Sequence, residues 1–193
     1  RSILTIPVIV HVIHAGEGVG TGSNISDAQI YSQIDVLNLD FRRLNEDSLE
    51  TSHPFWVNAA DSEIEFCLAM QDEEGEPTDG IDRIDGLDEF GYESWWDTEE
   101  FDTIVKPYTQ WDPNSYLNIW VMAFDSTGPD ESTLGYATFP DEHGAENDGV
   151  VIRYDAFGTI EAVEYPTDLG RTATHEVGHY FNLSHIWGDD NCG

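Results

Sequence analysis

The chain has 193 residues, which is enough for one domain with a hydrophobic core. Hydrophobic residues make up 39% of the sequence, and this content excludes an intrinsically disordered chain despite the high charge. The formal net charge is −32, from 39 acidic and only 7 basic side chains. Because phosphate contacts need Lys and Arg, the charge excludes nucleic acid as a partner and disfavours anionic membrane surfaces.

The acidic residues are scattered through loop-like segments, and this distribution favours solubility of a secreted protein over a specific role. Attraction of cationic substrates and binding of calcium are the alternatives. No apolar run approaches the ~20 residues that a membrane span needs. No signal peptide precedes Arg1, so we expect a mature, secreted protein whose leader and pro-segment have been removed.

The first predicted element is a strand over Ile3 to His14, where apolar residues occupy both faces. This pattern is typical of a buried strand in a covered, mostly parallel sheet. His11 and His14 lie within the run. We interpret them as hydrogen-bonded histidines of the core and of the strand end, and not as metal ligands.

A helix is predicted next, capped by Ser26, with Gln29 completing a capping box. Four apolar residues at helical spacing predict its buried face: Ile30, Ile34, Leu37 and Phe41. Its polar face is predicted to carry Gln33, Asp35 and Arg42. A long helix after a first strand favours a layered α/β fold.

Three later apolar segments predict further strands, over Glu63 to Met70, Leu117 to Phe124 and Asp148 to Tyr154. A shorter extended segment, Gly135 to Pro140, follows a loop. The acidic stretch Gln71 to Asp85 contains Gly and Pro, and we interpret it as a surface loop without a calcium-binding frame.

The two cysteines, Cys67 and Cys192, lie in a predicted strand and near the end of the chain. Strand and tail need not come within bonding distance. We therefore expect Cys67 to be a buried free thiol, and the partner of Cys192 stays open.

The segment 174–185 contains the pattern His175-Glu176-x-x-His179, followed by a third histidine, His185. On a helix, His175 and His179 lie one turn apart on the same face, where both imidazoles reach one metal ion. Six further helical residues rotate by ~600°, so the helix must end and turn back before His185 can bind. Asn182 stands at that place, and Asn adopts a positive φ more readily than most residues.

Three neutral imidazoles leave a fourth coordination position open, which is typical of a catalytic zinc site. Zinc lowers the pKa of bound water from about 15.7 to about 7. Glu176 is placed to take the proton of that water and to return it to a leaving amine. The pattern therefore predicts metal-assisted hydrolysis, with His175, His179 and His185 as zinc ligands and Glu176 as general base and acid.

This motif resembles that of the metzincin metalloproteases, which have Gly where this chain has Asn182. The surrounding residues and the run Trp111 to Val121 resemble the pappalysin family, of the ulilysin and cytophagalysin kind. The resemblance implies a secreted zinc endopeptidase, made as a zymogen, that cleaves protein or peptide substrates beside basic residues. It also implies that one edge strand contacts the substrate, through Leu134, Gly135, Tyr136, Ala137 and Thr138.

For the fold we expect an α/β (α+β) metzincin-like catalytic domain. Its twisted, mostly parallel sheet has five strands with an antiparallel edge strand and is backed by two helices. Residues 1–185 are expected to form the upper, N-terminal subdomain, and residues 186–193 to begin a truncated lower subdomain. The resemblance implies calcium just beyond His185, with Asp189 and Asp190 as candidate ligands.

The family's methionine turn beneath the metal has no counterpart here, because Met70 and Met122 both precede the motif. We therefore expect the lower C-terminal subdomain to be missing and a complementary C-terminal fragment to be a partner. The main alternative is a zinc-containing inactive fragment that acts as a binding or scaffold module. A calcium-dependent adhesion domain and a peptidase with a downstream Glu ligand are weaker alternatives.

Overall fold

The computed structural model describes residues 2–91, 97–124, 132–163 and 165–185. The strands in these ranges are β1 (Leu4–His14), β2 (Ile64–Leu68), β3 (Ile81–Asp85), β4 (Leu117–Met122), β5 (Gly135–Ala137) and β6 (Val150–Arg153). The helices are α1 (Asp27–Phe41), α2 (Gly86–Phe90), α3 (Thr98–Glu100), α4 (Lys106–Thr109) and α5 (Arg171–Tyr180), and a π-helical turn, Phe101–Val105, joins α3 to α4. Every helix in these ranges is too short or too polar to span a bilayer.

The described strands form one mixed sheet with the order β2-β1-β4-β6-β5, and β3 pairs with the second half of β1. Strands β2, β3 and β4 all run parallel to β1, and β6 runs parallel to β4. Strand β5 is antiparallel to β6, with Tyr136 opposite Val151. The predicted class, a mostly parallel sheet with an antiparallel edge strand, is confirmed.

The sheet has one more strand than the five predicted. Strand β3 occupies the end of the segment that we interpreted as a surface loop, so that interpretation is wrong for Ile81–Asp85. Its sequence, IDRID, has only two apolar residues, which is too few to indicate a strand by alternation. Parallel pairing with Val10–His14 of β1 supplies its hydrogen bonds, and this partner lies far away in the sequence.

Helices α1 and α5 cover one face of the sheet. Residues of β1 and β4 on this face pack against both helices because side chains alternate between the faces of a strand. The cluster includes Val10, Ile119, Leu37, Ala173 and Val177, and all five are 0% exposed. This core sets the position of α5, which carries the histidine motif.

Two glutamines of α1 differ from their predicted roles. The Ser26 hydroxyl accepts from the Gln29 amide, as predicted, but the Gln29 side chain donates to the carbonyls of Tyr154 (2.9 Å) and Phe157 (2.8 Å) instead of closing a capping box. Gln33 is buried and not on the polar face. It donates to the Gly170 carbonyl at 3.0 Å. Both side chains thus bind α1 to the segment between β6 and α5.

The π-helical turn and its flanking helices cover the opposite face of the sheet, where Trp120, Phe101 and Val105 are buried together. His11 lies on this face at 0% exposure, with Nε2 2.9 Å from Oδ1 of Asn118. Its ring stacks on Trp120 at a centroid distance of 5.2 Å. At the end of β1, Nδ1 of His14 accepts from the Gly16 amide. Both histidines are structural, as predicted.

Cys67 is a free thiol, as predicted, but it is half-buried and not fully buried. It lies in β2, whose exposure pattern places Phe66 alone fully in the core. Cys192 lies outside the described residues.

Helix α1 offers a matched pair of leucines that tests the core. Leu37 is 0% exposed and Leu39 is 44% exposed. We expect Leu37→Ala to lower the free energy of unfolding by about 2–5 kcal/mol, because it removes buried methyl groups and leaves a cavity. Leu39→Ala should change it by less than about 1 kcal/mol. Urea unfolding of both variants measures the difference, and equal losses would contradict the assigned core.

Candidate metal and catalytic site

Helix α5 holds two of the three motif histidines. It begins after Gly170, whose φ of 67° starts the turn into the helix. Ala173 and Val177 anchor one face of α5 in the core, so His175 and His179 share another face that is directed away from it. His175 is exposed and His179 is 9% exposed.

An acidic residue of α1 positions the first turn of α5. The Asp40 side chain is 7% exposed and lies 3.0 Å from Nε of Arg171. The Thr174 hydroxyl donates to Oδ2 of the same carboxylate at 2.7 Å. Asp40 was not identified from the sequence, because a single acidic residue at the end of an amphipathic helix gives no signal of a distant partner.

The chain reverses directly after α5, as the position of Asn182 predicted. Asn182 has a φ of 69°. Its amide donates to the His179 carbonyl at 2.8 Å, and the Leu183 amide donates to the Gly178 carbonyl at 2.9 Å. These two bonds form a Schellman motif, a common helix C-terminus in which a residue with positive φ lets the following amides bind the last helical carbonyls. The reversal brings His185 back towards the helix.

The three histidines converge on one point. The Nε2 atoms of His175, His179 and His185 lie 3.0, 3.1 and 3.2 Å from one another. Nitrogen ligands about 2.0–2.1 Å from a tetrahedral zinc ion are about 3.3 Å apart, so the three rings fit such an ion closely. Within the described ranges this is the cluster of His, Cys, Asp and Glu side chains that is compact enough to hold a metal.

The hydrogen bonding of His179 and the burial of His175 agree with a ligand role. Nδ1 of His179 lies 2.7 Å from the Leu183 carbonyl. A proton on Nδ1 donates to that oxygen and leaves the Nε2 lone pair directed at the common point. Burial, followed by the two neighbouring imidazoles, lowers the pKa of His175. The neutral form, which binds metals, is therefore favoured.

Glu176 lies beside this point and is 8% exposed. Burial raises the pKa of its carboxyl to about 7, and the charge of His185 acts in the opposite direction. A carboxyl group that titrates near neutrality is suited to accept and return a proton.

The edge strand β5 passes next to Glu176. A Cβ atom added to Gly135 would lie only 2.9 Å from Cγ of Glu176 and 2.8 Å from the Val151 carbonyl. The Leu134 carbonyl accepts from the Arg153 amide, and the Thr138 amide donates to the Gly149 carbonyl. Because bonding alternates along an antiparallel strand, the main-chain groups of Gly135 and Ala137 point away from β6.

The side chains of the predicted substrate-contact residues lie in different surroundings. Leu134 and Ala137 pack against the core on the α5 side, and Tyr136 packs on the opposite side of the sheet. The Thr138 hydroxyl is buried and donates to Oδ1 of Asp148 at 2.8 Å. Of these five residues, Gly135 and Ala137 are therefore the two whose main-chain groups point away from β6. Asp189 and Asp190, the candidate calcium ligands, lie outside the described residues.

Comparisons of the sequence with known proteins identify related metalloproteases. A family model described as pregnancy-associated plasma protein-A matches residues 99–193. An extracellular metalloprotease of Verticillium alfalfae is 27% identical over 195 residues, which cover 98% of this chain and 55% of the fungal protein. One of Pyricularia oryzae is 28% identical over 191 residues, covering 97% and 52%. The chain thus spans about half the length of these curated relatives.

Solved structures give a higher identity. Mature mirolysin of Tannerella forsythia, in complex with a cleaved peptide, is 43% identical with a TM-score of 0.81, and the match covers 100% of this chain and 68% of that chain. A promirolysin mutant of the same organism is 42% identical with a TM-score of 0.79, covering 98% and 59%. Fold, motif and identity agree, and the chain belongs to the pappalysin family of metalloproteases.

Proposed function

We propose that this chain is the zinc-binding part of an endopeptidase that hydrolyses peptide bonds, with Glu176 as general base and then general acid. The observation that carries the proposal is the convergence of three Nε2 atoms within 3.2 Å of one another beside a buried carboxyl group. The family implies a metal. Zinc is the ion that this ligand set favours, since three imidazoles with an open fourth position are typical of catalytic zinc.

His175, His179 and His185 are the proposed ligands. Zinc bound by them supplies a Lewis acid that polarises water and the substrate carbonyl. The helix end at Asn182 keeps the third ring in register with the other two. The Leu183 carbonyl holds the ring of His179 in the orientation that directs Nε2 at the ion.

Glu176 takes the proton of the attacking water and passes it to the amine of the leaving peptide. Two features of the chain support this role. Burial raises the pKa of the carboxyl, which increases its affinity for a proton. The close approach of Gly135 leaves the side chain little room on the side of β5. The carboxylate is thereby kept next to the metal ligands.

The substrate is proposed to be an extended peptide that adds to the edge of β5 that faces away from β6, where no other described strand pairs. The outward main-chain groups of Gly135 and Ala137 supply hydrogen bonds to such a strand. The side chains of Leu134, Tyr136 and Thr138 stabilise β5 itself. Residues 1–185 then form the upper wall of the cleft, and residues 186–193 lead into the lower wall.

The setting of the activity is inferred from the relatives and from the charge. Relatives named extracellular metalloproteases support secretion of the protein that contains this chain. A net charge of −32 supports a preference for bonds next to basic residues, because a negative cleft attracts Arg and Lys side chains. Calcium bound through Asp189 and Asp190, and a complementary C-terminal segment as partner, are further parts of the proposal.

Metal binding is the first test. The protein purified at neutral pH is expected to contain one zinc ion per chain by elemental analysis. Replacing His179 by Ala should weaken zinc binding by more than ~100-fold, since even the partners of metal ligands contribute 10–100-fold. His53→Ala is the matched control, because His53 lies in an exposed loop. If the His179 variant has the same zinc content as the wild type, His179 is not a zinc ligand.

The role of Glu176 is tested by Glu176→Gln, which keeps the shape of the side chain and removes its basicity. Peptide hydrolysis by the full-length protein should fall by about 10²–10⁴-fold, while zinc content stays at one per chain. Glu74→Gln, at an exposed loop position, is the control. Unaltered hydrolysis in the Glu176 variant would contradict the assignment. An inactive wild-type protein that still contains zinc would favour the scaffold alternative.

The preference for basic residues has an electrostatic signature. We expect kcat/KM to be higher for peptides with Arg or Lys beside the scissile bond than for matched peptides with Gln. The advantage should shrink as salt is raised, because the screening length falls from ~10 Å at 0.1 M to ~3 Å at 1 M. Equal kcat/KM for the two peptide sets at low salt would refute the preference.

A further inference from the structure

Lys106 is a buried cation that the proposed chemistry does not use. Its side chain is 0% exposed and lies on the face of the sheet opposite α5. Burial lowers the pKa of its ammonium group, and the charge of Asp102 acts most strongly against this effect. A charge at this depth is costly unless it is paired and hydrogen-bonded.

The partners of Lys106 come from four parts of the chain. Nζ lies 2.8 Å from Oδ1 of Asp102 and donates to the Asn147 carbonyl at 3.3 Å. It also lies 5.2 Å from the ring centroid of Trp120 and 4.6 Å from that of Tyr136. The cation therefore links the covering helices, the central strand β4 and the edge strand β5.

The backbone beneath this cluster has an unusual form. Asp102 lies in the π-helical turn Phe101–Val105, and Lys106 begins the helix that follows it. Such turns are rare and are often found at functional sites. Phe101 and Val105, at the ends of the turn, are both 0% exposed and hold it against the sheet.

Tyr136 connects the cluster to the edge strand. Its hydroxyl donates to Oδ1 of Asp102 at 2.7 Å, the same oxygen that pairs with Lys106. Tyr136 is the central residue of β5, so fixing its side chain fixes the strand. Its neighbour Gly135 projects to the other face, where it abuts Glu176.

The far end of β5 is held by the same cluster. Asn147, which accepts from Lys106, directly precedes Asp148 in the chain. Asp148 is 1% exposed and accepts from the hydroxyl of Thr138, the residue after β5. Both the middle and the end of the strand are thus connected to the buried cation.

We propose that Lys106, Asp102 and Tyr136 are positioning residues that hold the edge strand β5 in the place where it both receives the substrate and confines Glu176. The inference rests on the proposed peptidase function. It extends that function to three residues on the opposite side of the sheet from the histidines.

Tyr136→Phe is the main test, because it removes only the hydroxyl that binds Asp102. The matched control is Tyr108→Phe, at a 69% exposed position of α4. We expect Tyr136→Phe to raise KM about tenfold for long peptides that pair with β5, because a strand that is in the binding position only part of the time binds with an affinity reduced by that fraction. Short peptides should lose less, and zinc content should not change. A role in stability alone would lower Tm and leave KM and its length dependence intact.

Peptide binding gives a readout that is independent of turnover. In the Glu176→Gln background, Tyr136→Phe should weaken the binding of a long peptide by a similar factor, measured by fluorescence polarisation. Asp102→Asn should weaken binding at least as much, because it removes the counter-charge of the buried Lys106, and adding Tyr136→Phe to it should weaken binding little further. If the Tyr136→Phe variant binds the peptide as tightly as the wild type and has the same KM, the positioning role is overturned and the proposed function is not affected. Absence of hydrolysis by the wild type overturns the proposed function, and the binding measurement still decides the role of Tyr136.

The contact between β5 and Glu176 has its own test. Gly135→Ala places a methyl group 2.9 Å from Cγ of Glu176 and 2.8 Å from both Cδ1 of Ile152 and the Val151 carbonyl, so that Glu176 or β5 must move. It should lower kcat at least tenfold at unchanged zinc content, since small misplacements of a catalytic group are costly. Gly18→Ala is the control, because a Cβ there meets no atom within 4 Å. If the Gly135→Ala variant has the kcat of the wild type, β5 does not restrict the position of Glu176.

Discussion

The chemistry of this chain depends on how one helix ends. Two main-chain hydrogen bonds, from Asn182 to His179 and from Leu183 to Gly178, close the last turn and reverse the chain. The reversal returns His185 to the face from which a continuing helix would have carried it away. The reversed segment also supplies the Leu183 carbonyl that orients the ring of His179. One turn therefore places the third imidazole and sets the orientation of the second.

The helix in turn takes its position from the core. Ala173 and Val177 fix one side of α5 against the sheet, and Asp40 of α1 holds its first turn through Arg171 and Thr174. The edge strand β5 then lies between two layers. It touches Glu176 on one side at Gly135 and the buried Lys106 cluster on the other side at Tyr136. The position of the site thus depends on the packing against both faces of the sheet.

Much of this arrangement could be predicted from the sequence. Repeated apolar residues identified β1, α1 and β4, because burial of a whole face leaves a periodic pattern. The turn at Asn182 could be predicted because helical geometry leaves no other way for His185 to reach the first two rings. The proposed substrate contact of β5 was inferred from family resemblance alone. Its confirmed feature is the antiparallel pairing with β6.

What could not be predicted depends on partners that are distant in the sequence. Gln33 is buried because Gly158 and Gly170 satisfy its amide, and Lys106 is buried because Asp102, Asn147 and two aromatic rings surround it. From the local pattern of polar and apolar residues, Gln33 and Lys106 would both be predicted to lie on the surface. Strand β3 has two apolar residues and becomes a strand only by pairing with β1. Local periodicity does not report such contacts.

The central place of β1 has a consequence for how the protein is made. This strand is synthesised before β4 and β6, yet its residue Val8 pairs with Leu117 of β4, and β4 in turn pairs with β6. A nascent chain must therefore leave the ribosome with an apolar strand whose main partners do not yet exist. Parallel pairing over such separations forms slowly, and exposed apolar strands of this kind aggregate readily. The strongly acidic composition of the chain, through mutual repulsion of nascent molecules, counteracts that tendency during the interval before the sheet closes.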